Sequence, residues 1–159
     1  MEANVDISLQ ISQLNKTGNS KRHKGCAMGM VSTDRKIRYS TFLSKKELDK
    51  IIEFYKDKFP LKTTYVRIHS IMVFLCLEPY LENIELIKLC QDFKSHILTR
   101  EMYNLFPILQ KYKIKWIGGK GNKSPADKHA NRIRKHPEYA NNILTLEKIK
   151  KMEAPRKSK

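Results

Sequence analysis

The chain has 159 residues, with 32 lysines and arginines against 16 acidic residues, a formal charge of +16. That length suits one domain with a sizeable core, and 40% hydrophobic with 30% charged residues excludes a disordered polyelectrolyte. The longest apolar run, IMVFLCL at 71–77, is too short to span a bilayer. The start, MEANVDISLQ, has no basic region followed by an apolar run, so a cytoplasmic protein with no membrane partner is expected.

An excess of cations spread along the chain calls for a polyanionic partner. Nucleic acid is the usual one, because phosphate neutralisation releases counterions; an anionic membrane or an acidic protein satisfies the same charge. Cys26, Cys76 and Cys90 form no CxxC pair and are expected as reduced thiols, neither a zinc site nor a disulfide framework.

From Val5 to Leu14 apolar and polar residues alternate, with Val5, Ile7, Leu9 and Ile11 opposite Asp6, Ser8, Gln10 and Ser12. This predicts a strand with one polar face. NKTGNSKRHKG follows as a basic loop. CAMGMVSTDRKIRYSTFL predicts a hairpin turning near Thr33, Asp34 and Arg35. SKKE at 44–47 is a capping box with Ser44 as N-cap and Glu47 reaching back, opening a helix that carries Leu48, Ile51, Ile52 and Tyr55 and stops before Pro60. A second helix is expected over 65–77.

NIELIKLCQD, 83–92, is apolar on both alternating faces apart from Lys88 and predicts an interior strand covered by helices. A helix over 99–112, broken near Pro107, leads to the strand KIKWI, and the loop GGKGNK leads to a helix beginning at Ser124. Leu144, Leu146, Ile149 and Met152 mark a short terminal helix before a lysine-rich tail. The resulting organisation is an α/β domain over 1–143, with a mixed sheet of about five strands flanked by helices, followed by a basic C-terminal helix and tail over 144–159.

From Val66 to Arg134 three strings, VRIHSIMVFLCLEPYL, ENIELIKLCQD and IKWIGGKGNKSPADKHAN, occur in the order and spacing of the ribonuclease H fold, which the chain resembles. The first is similar to that family's long helix, the second to its fourth strand, and the third to its fifth strand, glycine-rich loop and last helix. The helix at 45–58 is then an insertion. The resemblance implies carboxylates that hold two divalent cations, magnesium or manganese, to hydrolyse a phosphodiester. It carries the metal-ligand role onto Asp92 and Asp127, and onto Asp6 in the first strand, with Ser8 or Gln10 there instead if the register is shifted. His69 stands where the family has a glutamate; a neutral imidazole suits magnesium poorly. Lys120 stands where many members have a loop histidine.

Each of these residues also has a plainer role. Asp127 is the fourth residue of SPAD, an ordinary capping-box acid; Asp92 suits a turn after a strand; Asp6 suits a solvated strand edge; His69 suits a helix surface or core; Trp116 suits the core. Arg67, Lys113, Lys115, Lys120, Asn122, Lys123, Lys128 and Arg132 are the expected contacts to a phosphate backbone. Two functions remain open. One is a nucleic-acid-binding module, for instance within a ribonucleoprotein, that keeps this fold with weakened or lost catalysis and needs no cofactor. The other is an active metal-dependent nuclease using Asp92, Asp127, Asp6 and His69. A subunit that meets an acidic protein is a third expectation.

Overall fold

In the computed structural model, which describes residues 1–17, 24–118 and 124–153, alternation along the first strand decides how the molecule is layered. β1 (Glu2–Ser8) buries Ala3, Val5 and Ile7 in the main core and turns Asn4, Asp6 and Ser8 to the other face of the sheet. β1 ends sooner than the expected run to Leu14. Leu9 takes φ 68°, a left-handed conformation that turns the chain out of the sheet, and α1 (Ile11–Thr17) follows. Ile11 and Leu14 both reach the core, because their three-residue spacing serves a helix as well as alternation serves a strand.

β2 (Gly25–Ser32) and β3 (Arg38–Ser44) form the expected hairpin. Its turn is held by Asp34, whose Oδ1 accepts from Ser32 Oγ at 2.6 Å and from the Lys36 amide at 3.1 Å, while Arg35 sits at φ 65°. α2 (Lys45–Tyr55) starts at Ser44, whose side chain accepts from the Glu47 amide. Glu47 does not close the box. Its Oε1 accepts from the Leu146 amide at 3.1 Å, so it docks α6 (Leu146–Glu153), with Leu144 and Ile149 in the main core.

α3 (Leu61–Leu77) begins directly after Pro60, is almost wholly buried in its second half, and crosses β1, β2 and β3. β4 (Leu86–Cys90), α4 (Ser95–Leu105), a 3-10 turn over Pro107–Lys111 and β5 (Lys113–Ile117) follow. α5 (Pro125–Lys135) packs on β1, β2 and β3 from the face that Asp6 occupies. The described residues, with a short β6 (Asn142–Ile143), form one six-stranded sheet in the order β5-β4-β1-β2-β3-β6. β1 to β3 are antiparallel, β4 and β5 run parallel to β1, and β6 pairs parallel with β3. The sheet thus has one more strand than expected, since two residues carry no readable alternation.

β4 lies inside the sheet, but only one of its faces is covered. Ile87 and Leu89 are buried, whereas Leu86, Lys88 and Cys90 are only partly so, since α5 stops over β1. This departs from the expectation of helices on both sides.

α5 lies so close to β2 that a Cβ at Gly29 would stand 3.0 Å from the Ala130 nitrogen and 3.1 Å from the Ala126 oxygen. Gly29→Ala must lift the helix by a few tenths of an ångström and is expected to cost roughly 1–3 kcal/mol, read from the denaturant midpoint. An unchanged midpoint would mean that α5 is not seated on this glycine.

Candidate functional site

Asp92 and Asp127, from distant parts of the chain, each come within electrostatic reach of Asp6. Asp6 lies in the interior of β1, because the strand starts at Glu2 and not at Val5, and it pairs with Gly29 on β2. Parallel pairing of Val5 with Leu89 sets Asp6 beside Cys90, whose thiol hydrogen-bonds its carboxylate. Asp92 follows two residues after the end of β4. Asp127 lies in the first turn of α5, with Ser124 as N-cap and Pro125 at the first helical position, as the SPAD string predicts.

Electrostatics join the three. Burial pushes the Asp6 carboxyl above its ordinary range, and the charge of Asp127 adds to this, against hydrogen bonds from Cys90 and from the Ile7 amide. Burial, then the charge of Asp6, pushes Asp92 up to about 6, against a hydrogen bond from Gln10. The Cys90 thiol is raised by burial first and then by Asp6, Asp92 and Asp127. Half-buried acids that repel one another hold their protons more tightly.

Oxygen donors of this kind suit magnesium or manganese. Among the described residues, however, no three His, Cys, Asp or Glu side chains are arranged as a ligand set for one ion. The donor chemistry fits a divalent cation and the donor geometry does not form a closed cage.

His69 does not join the aspartates. It is buried in α3 with its ring edge-on to Phe93 at 5.1 Å between centroids, and burial holds its pKa at about 4, so it is neutral. Ser8 and Gln10 are not substitutes for Asp6. Ser8 donates to Asn131 Oδ1 at 2.5 Å and accepts from Arg134 Nε at 2.8 Å, tying α5 to β1, and Gln10 stands outside the strand against Asp92.

The cations divide into three groups. Lys113 and Lys115 are exposed on β5, and the Lys88–Lys115 and Asn4–Lys88 pairs put Lys88, Lys113, Lys115 and Asp6 on one sheet face. Lys113 and Lys115 have no ion pair among the described residues, whereas Lys88 is bound to Glu2 at 2.6 Å. Lys128 and Arg132 project from the opposite flank of α5 into a cavity. Arg67 is not on the surface. It is 15% exposed, donates to Glu101 at 3.0 Å and to Glu153, and lies over the rings of Tyr55 and Phe59. Lys120, Asn122 and Lys123, with most of the basic loop after α1, lie outside the described residues.

Sequence spacing alone does not single out Cys90 or Lys88 as site residues, and it offers Gln10 only in place of Asp6, not beside Asp92. Alternation along LIKLC puts 86, 88 and 90 on one face, but only the parallel pairing with β1 places that face beside Asp6. Cys26 and Cys76 are buried free thiols pushed up to about 12 by burial. Among the described residues, no helix is long and apolar enough to cross a membrane. Compared with known proteins, the chain matches no family model, no curated relative and no solved structure.

Proposed function

We propose that the protein binds the phosphate backbone of RNA or DNA across the open β4–β5 face, on a ribonuclease H-like fold whose catalysis is weakened or lost. One observation carries this: the uncovered face of β4 and β5 presents Lys113 and Lys115 beside an acidic edge, in a chain of charge +16. Unpaired lysines on an open, flat surface suit a backbone that tracks past them. The fold resemblance is supported by the strings it assigns to the fourth and fifth strands, which are neighbours with Leu89 beside Trp116. The aspartates it carries over also gather near Asp6. Weakened catalysis is supported by His69, which stands where the family has a glutamate and is buried and neutral.

Binding of a labelled oligonucleotide, followed by fluorescence anisotropy, is expected to fall steeply as salt rises, and Lys113→Ala with Lys115→Ala to lower the logarithmic salt slope by about two. A flat salt response in the unaltered chain would end the proposal.

The second reading, an active magnesium- or manganese-dependent nuclease, is favoured by the position of Asp6 inside β1. Incubation with RNA–DNA hybrid, duplex and branched DNA tests it. Cleavage abolished by Asp92→Asn supports it, and cleavage indifferent to that change marks a contaminant.

A further inference from the structure

The flank of α5 turned away from the aspartates borders a cavity of about 340 Å³ between that helix and the β2–β3 turn. Four cations line it: Arg35 from the turn, Arg38 from the start of β3, and Lys128 and Arg132 from successive turns of α5. No acidic residue lines it. Asp34, next to Arg35, is bound within the turn to Ser32 and to the Lys36 amide. None of the four cations has an ion pair among the described residues, although Arg132 lies over the Tyr139 ring at 5.2 Å.

His129 also lines the cavity. Both of its ring nitrogens are shielded from water, and among the described residues neither has a well-formed hydrogen bond, although the ring lies against the Tyr39 backbone. All four side chains are solvent-exposed and screened by water, and with no acid facing the concave space between them they present a positive potential that an anion can answer. The size is at the small end for a ligand pocket, enough for a phosphate group and its adjoining sugar. A flat duplex surface would not fill it.

We propose that this cavity is a phosphate subsite, separate from the aspartate edge, in which Arg35 and Arg38 on one wall and Lys128 and Arg132 on the other grip a phosphate group of a bound nucleic-acid strand. The subsite rests on the nucleic-acid reading above for the source of that phosphate, and on the cavity alone for its chemistry. Together with Lys113 and Lys115 it makes the bound strand straddle α5, so that the protein holds its ligand at two places on either side of one helix.

Two measurements on the full chain test this. Inorganic phosphate, titrated while amide resonances are followed, is expected to shift Arg35, Arg38, Ser124 and Lys128 in the unaltered chain and not in Arg35→Gln/Arg38→Gln. That double variant is expected to bind a labelled oligonucleotide roughly tenfold more weakly at about 50 mM salt, with a salt slope lower by about two. Lys128→Gln/Arg132→Gln, altering the other wall, is expected to repeat both results, so misfolding of one variant does not decide the matter.

If phosphate shifts no amide and both variants bind the oligonucleotide unchanged, the cavity is not an anion site. If phosphate shifts the amides but oligonucleotide affinity ignores both variants, the ligand is a free phosphorylated compound and the strand assignment falls. If only Lys113→Ala with Lys115→Ala weakens binding, the open-face reading stands and the cavity subsite does not. If the unaltered chain binds no oligonucleotide, both the nucleic-acid reading and the strand assignment are overturned.

Discussion

Replacing Arg67 with alanine is expected to destabilise the fold by about 2–4 kcal/mol, while leaving oligonucleotide affinity within about twofold, because the guanidinium is committed to internal carboxylates. Its Nε donates to Glu153 at 2.9 Å and to the Tyr55 hydroxyl at 3.2 Å, and a further nitrogen donates to Glu101 at 3.0 Å. Tyr55 in turn donates to Glu153 at 2.5 Å. The network ties α2, α3, α4 and α6 together at one point, and its charged groups are 15–22% exposed. Deleting the cation leaves Glu101 without its partner and Glu153 with only the Tyr55 hydroxyl, which costs more than the pair itself contributes. The residual exposure of the partners reduces the cost below that of a fully buried pair. Thermal or denaturant unfolding beside a binding isotherm checks both halves. A variant that keeps its stability and loses affinity would move Arg67 back to the proposed phosphate contacts, where the sequence pattern places it.

The Arg67 network also marks the limit of what the sequence discloses. Helices and the hairpin are legible from spacing: Leu48, Ile51 and Tyr55 on one stripe, the Ser124 cap with Pro125, and the break at Pro107. The strand containing Asp6 is legible in kind but not in extent, because alternation continues past Leu9 while the backbone turns away there. That shift of frame matters, since it places Asp6 at the interior of β1 and beside Cys90.

Charge patterns are less legible still. Arg67 and Lys113 are both basic residues in or near apolar segments, yet one is internal and the other exposed. The difference is made by Glu153, which is 86 positions away. The same holds for Glu47, whose capping partner in the structure is the Leu146 amide rather than its own helix start. Local spacing reports which face of an element is apolar. It does not report which distant acid meets which base.

Asp92→Asn is expected to stabilise the protein at neutral pH. Burial and the charge of Asp6 hold the Asp92 carboxyl at about 6, against an ordinary 3.8. The folded chain therefore binds this proton more tightly than the unfolded chain does. Stability is fully present below about pH 4, falls as pH rises from there through about 6, and then stays level. Asp6 is raised as well and acts in the same direction. A rise from 3.8 to about 6 corresponds to about 3 kcal/mol, and solvent screening at a carboxyl near the surface brings the expected gain for the asparagine variant to about 1–2 kcal/mol. At about 2–4 °C per kcal/mol for a domain of this size, Tm at pH 7 rises by a few degrees, and at pH 4 the two proteins melt together. Millimolar magnesium is expected to raise Tm of the unaltered chain by offsetting this repulsion, with less effect on the variant. Calorimetry at the two pH values, with and without magnesium, separates the possibilities. A variant less stable than its parent at pH 7 would mean that Asp92 is held by a favourable partner, and the acidic edge beside α5 would then not be a place of stored repulsion that a cation relieves.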